Sequence, residues 1–164
     1  AKVYQRFLDA TWEASRILPT PRPFGDFEME LVDPGNVTKS VYIAPGMREG
    51  VYDARIIVYN EDRSIAFTGW GSTLTNAGKP LIDYGSYIGE AYYDGSHTDG
   101  VWLLSGAGLN EHTMIEIHGG YSEYLRGSAG CITIHPDSWG SFRNATGLDS
   151  GGVINIYIQH PVVP

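Results

Sequence analysis

The chain has 164 residues, a formal charge of −8, and 42% hydrophobic and 12% aromatic residues. That is enough to bury a core in one domain, and no apolar run approaches the ~18 residues of a membrane-spanning helix. No Lys/Arg cluster interrupts the acidic balance, which argues against a nucleic-acid backbone as partner, and a single cysteine, Cys131, excludes an internal disulfide framework. No charged-then-apolar leader is visible after Ala1, so the sequence leaves the compartment open.

In residues 2–18, Tyr4, Phe7, Thr11, Ala14 and Leu18 fall at steps of three and four, which predicts a helix. Pro19, Pro21 and Pro23 stop it by removing backbone donors and disfavouring helical neighbours. Residues 1–26 are therefore expected to form an N-terminal helix and Pro-rich linker, and 27–164 the main domain. From residue 27 the period becomes two. Segments 27–33, 39–44, 51–60, 64–70, 86–93, 100–105, 113–118 and 153–160 are short, rich in β-branched or aromatic residues, and bounded by Gly, Pro, Asn and Asp. "NEDR" at 60–63 reads as a hairpin turn. This pattern predicts a mainly-β sandwich or barrel rather than alternating βαβ units. One late segment departs from it. In "HPDSWGSFRNATG", Pro136 suits a first helical position, Trp139 and Phe142 share a face, and Gly147 suits the helix end.

Cys131 precedes this helix, in a turn of small residues, "SAGC", followed by a short strand. Taken alone, such a cysteine is most often a small buried hydrophobe. Small neighbours, however, let another chain approach the sulfur, which a core residue does not need. His118 ends the alternating run "TMIEIH" and is followed by Gly119 and Gly120. Alternation places Ile115 and Ile117 on the buried face, with Met114, Glu116 and His118 on the less buried one. An imidazole there is a solvated strand end, or a base that takes the thiol proton and returns it to a leaving amine. In the second case the N–H groups of Gly130 and Cys131 are candidates to hold an oxyanion. Zinc is the rival: Cys131, His118 and His135 supply three ligands, one thiolate and two imidazoles, but no CxxC or HxxxH pair supports them. His135 also has a plainer role in capping the helix. Phosphate-binding glycine loops are absent from the sequence.

"IHGGYSEYLRGSAGCITI" resembles the HG…SxGC signature of L,D-transpeptidase catalytic domains, cysteine enzymes that act on bacterial peptidoglycan stem peptides. Upstream, residues 71–106 are similar to small murein-targeting proteins of this kind, among them type VI secretion effectors and phage-associated murein proteins, with Gly85-Ser86-Tyr87 as a "GxY" turn and His97 in the following segment. The resemblance covers about residues 68–147. It implies a transpeptidase-like β-sandwich or barrel with a short helix after the cysteine. It implies Cys131 as nucleophile, His118 as general base, Ser128 as site serine, and Gly119 and Gly130 as pocket-shaping glycines. Tyr121, Arg126 and His97 are the implied substrate-binding residues. No cofactor or metal is implied. The implied partners are stem peptides, with an immunity-type inhibitor as a further candidate, and the implied site of action is the periplasm or cell wall. One residue departs from the pattern: the family carries arginine two positions after the cysteine, and this chain has Thr133, with Arg126 the candidate substitute. That departure bears on cross-linking and donor specificity and turns the expectation toward hydrolysis or D-amino-acid exchange. The alternatives are a non-catalytic cell-wall or partner-binding module, and a structural β-domain of a larger secreted or phage protein.

Overall fold

A computed structural model describes residues 38–95 and 97–160. The expected N-terminal helix, the linker and the strand at 27–33 lie outside the described residues. Within them, eight strands close into one barrel: β1 (Ser40–Ala44), β2 (Ala54–Tyr59), β3 (Ile65–Ser72), β4 (Gly85–Asp94), β5 (His97–Ser105), β6 (Glu116–Gly119), β7 (Ile132–Ile134) and β8 (Val153–Ile158). Around the barrel their order is β1-β2-β3-β7-β6-β5-β4-β8. Most neighbours are antiparallel, but β1 and β8 pair in parallel, as do β6 and β7. Closure pairs each described strand on both sides, so among the described residues the sheet has no open edge.

Alternation builds the interior. Val41 and Ile43 of β1, Ile56 and Val58 of β2, Ile117 of β6, Ile132 and Ile134 of β7, and Ile154 and Ile156 of β8 form one buried cluster. Residues of opposite parity on β1, β2 and β8, including Tyr42, Ile57, Tyr59 and Tyr157, form a second buried cluster on the other face of the same strands. The turn expected at 60–63 is present: Asn60 N–H donates to Ser64 O at 2.8 Å, with Arg63 at φ 74°.

The helix after Cys131 also forms, with a different first turn. Pro136–Ser138 is a 3₁₀ turn, and the α-helix proper, α1, runs Trp139–Thr146 with Gly147 as its left-handed C-cap. Phe142 of α1 enters the barrel cluster edge-on to Phe67, centroids 5.7 Å apart. Trp102 of β5 donates from Nε1 to Thr146 Oγ1 at 2.9 Å, fixing the far end of the helix. Gly85, Ser86 and Tyr87, expected to form a turn, instead open strand β4, where Tyr87 is buried and donates to Asp83 O at 2.6 Å. Burial and the nearby Asp83 push its hydroxyl up to about 12, so this tyrosine anchors the start of β4 as a neutral donor.

Candidate functional site

Cys131 and His118 occupy neighbouring positions because β6 and β7 are parallel neighbours in register. Ile117 is opposite Ile132, and His118 is opposite Thr133. Directly opposed residues share a face, so Glu116, His118, Cys131 and Thr133 all project from the barrel wall on the side away from Ile117, Ile132 and Ile134. Cys131 is one diagonal step from His118, a separation that long side chains bridge. The thiol itself is partly buried.

Two backbone groups hold the sulfur. Glu116 N–H donates to Cys131 Sγ at 3.4 Å, and the thiol is 3.7 Å from Met114 O. The first favours the thiolate and the second the protonated thiol. Met114 reaches that position with φ 58°, a left-handed conformation uncommon for a residue with a side chain. This is also why β6 starts at Glu116 rather than at residue 113 as expected. The imidazole of His118 has its own anchor: Nδ1 is 2.8 Å from Gly119 O. A carbonyl only accepts, so Nδ1 carries the proton and Nε2 is the basic atom. The ring of His97 stacks on that of His118, centroids 4.4 Å apart and planes inclined by 28°.

One expectation requires correction. His118 and Glu116 were expected on a less buried face, yet they are only 4% and 3% exposed. The His97 ring lies against one face of His118, and residues 120–130 double back to residues 51–52, 72 and 75. Tyr52 Oη donates to Ser122 O at 2.7 Å and Leu125 O at 3.3 Å. Arg126 donates from Nε to Val51 O (3.1 Å) and Ser72 Oγ (2.9 Å), and from Nη1 to Thr75 O (3.2 Å). Burial raises the Tyr52 hydroxyl above its ordinary range, and Arg126 offsets this in part. Because Ser72 is the register partner of Thr133, Arg126 brings its guanidinium close to Thr133. Thr133 is fully buried, and its hydroxyl has no hydrogen-bond partner. Tyr121 begins this loop and is 77% exposed, with its ring at the outer surface.

Ser128 braces the turn that presents the thiol. Its hydroxyl donates to Cys131 O at 2.7 Å and accepts from Gly130 N–H at 3.0 Å. Gly130 N–H, one of the two oxyanion candidates, thus donates to Ser128 Oγ in this structure. The two expected glycines are sites of close approach. A Cβ on Gly119 would come within 2.9 Å of the Trp139 ring, and one on Gly130 would meet Leu81 Cδ1. Ser128→Ala leaves two backbone groups without their partner and is expected to cost about 2 kcal/mol. Calorimetry should read this as a Tm roughly 6 °C lower.

A groove of about 540 Å³ runs beside the turn, lined by Thr75, Asn76, Lys79, Leu81, Ser128 and Ala129. It joins an ammonium, amide and hydroxyl groups and an apolar wall next to the thiol-bearing loop. The zinc alternative loses its third ligand. His135 accepts from Asp137 N–H through Nδ1 at 3.1 Å, capping the 3₁₀ turn, and its ring packs on Tyr52 with centroids 5.0 Å apart. Among the described residues no group of three or more His, Cys, Asp or Glu could hold a metal ion. No described helix is long and apolar enough to cross a membrane.

Sequence reasoning missed Tyr52, Ser72 and the main-chain roles of Met114 and Glu116. Parity already placed Glu116 with His118, but nothing local marks Tyr52 as the clasp of a loop some 70 residues away. Compared with family models, with curated proteins and with solved structures, the chain matches none.

Proposed function

We propose that this domain is a cysteine-dependent acyl-transfer enzyme acting at the L,D-amide bond of peptidoglycan stem peptides. The observation that carries the reading is the placement of Cys131 and His118 on one face of adjacent parallel strands, with the His118 Nδ1 proton committed to Gly119 O. Nε2 of His118 takes the thiol proton, and Glu116 N–H supports the thiolate. The sulfur attacks the carbonyl carbon of the L,D-amide after diaminopimelate. Cys131 N–H meets the developing oxyanion. As the C–N bond breaks, His118 gives its proton to the departing D-alanine amine, and a thioester remains. Water then releases a shortened stem peptide, or an amine acceptor takes the acyl group; either restores the thiol.

Other features support the same substrate. Stem peptides carry carboxylates, and Lys79 supplies a cation to the groove beside the turn in a chain of net charge −8. The arginine missing at Thr133 has a counterpart in Arg126, whose guanidinium is committed to three protein acceptors. It therefore organises the loop rather than gripping a donor, which favours hydrolysis or exchange over cross-linking. Such a substrate places the site of action in the periplasm or cell wall, where an immunity-type inhibitor would cover the groove beside Ser128. Incubation with purified muropeptides, read by mass spectrometry, is expected to show loss or exchange of D-alanine. Saturable binding with no change in mass would replace the enzyme with a non-catalytic cell-wall module.

A further inference from the structure

We infer that His97 is a positioning residue: its ring, stacked on His118, holds the base in the orientation and tautomer from which Nε2 serves Cys131. The inference rests on the reading of Cys131 and His118 as a nucleophile–base pair. His97 is the first residue of β5, at an irregularity in the β4–β5 ladder, where Asp94 pairs with His97 out of register. Left-handed Gly100, at φ 86°, stands between it and Trp102, which pairs β5 to β6. The hairpin thus brings one imidazole against another across 21 positions of sequence, at 4.4 Å and 28°. Stacking at this distance restricts rotation of the His118 ring about its Cβ–Cγ bond. The hydrogen bond to Gly119 O then selects which nitrogen keeps the proton. Neither contact alone fixes both orientation and tautomer: the hydrogen bond leaves the ring free to rock about it, and the stack does not distinguish Nδ1 from Nε2. Together they do. Once His118 has taken the thiol proton, the His97 ring also lies against an imidazolium, a contact that favours the ion pair.

The test compares wild type, His97→Ala, His97→Phe and His118→Ala by the iodoacetamide labelling rate of Cys131 at neutral pH, by thermal melting, and by ¹⁵N NMR of the His118 tautomer. His97→Ala is expected to slow labelling roughly tenfold and to mix the two tautomers, whereas His97→Phe, which keeps a stacking ring, stays within about threefold of wild type. Labelling in His97→Ala equal to wild type overturns the inference. So does a lower Tm with the tautomer unchanged, which would make His97 packing alone, or a His97→Phe variant as slow as His97→Ala. If His118→Ala labels as fast as wild type, the nucleophile–base pair itself falls. If labelling behaves as expected while muropeptides are left unchanged, the substrate reading falls and the role of His97 stands.

Discussion

Cys131→Ala is expected to reduce D-alanine release from stem peptides to background while the domain stays folded. The two halves of that result have separate causes. Loss of the sulfur removes the only atom able to form the thioester, because the chain has no second cysteine to take over. The thiol is partly buried and held by two weak backbone contacts, to Glu116 N–H and Met114 O, so its removal forms no large cavity. The stability cost should stay under about 1 kcal/mol. Thermal melting measured with the turnover assay checks both. A domain unfolded by this substitution would mark Cys131 as core.

His118→Ala is expected to lower turnover by roughly 10²–10⁴, the range for a lost general acid–base group. Unlike the cysteine change, this one should also destabilise. His118 is 4% exposed, and its removal leaves Gly119 O without its donor and one face of His97 without its stack. About 2 kcal/mol is the expected cost. Destabilisation alone would not lower kcat in the fraction that stays folded. The decisive reading is therefore kcat measured well below the variant's Tm: it should fall with KM nearly unchanged, because the role proposed for the imidazole is proton transfer rather than ground-state binding.

How far the sequence reveals this architecture depends on the range of the interaction. Alternation along β1, β2, β4 and β8 is a local signal, and those strands appear where the period of two predicts them. The helix after Cys131 is equally local, since Pro136 and Gly147 bracket it. The β6 strand starts late because Met114 adopts a left-handed backbone, which no pattern of residue types announces. Barrel closure through the parallel β1–β8 pair is also silent in the sequence, because pairing depends on elements more than 100 positions apart. The same holds at the site. The parity of His118 and Glu116 is readable, but their depth is not, because burial depends on residues distant in sequence, such as His97 stacked on His118. The engagement of Gly130 N–H by Ser128 is a side-chain geometry that spacing alone does not decide.

The central claim is that Cys131 forms a thioester with the acyl part of a stem peptide. Intact-protein mass spectrometry after rapid acid quenching of the protein with excess tetrapeptide stem tests it most directly. The account predicts added mass equal to the tetrapeptide less D-alanine, mapped by proteolysis to Cys131, removed by hydroxylamine and absent from Cys131→Ala. Release of D-alanine with no adduct at any quench time in wild type, or an adduct that persists in Cys131→Ala, would contradict it.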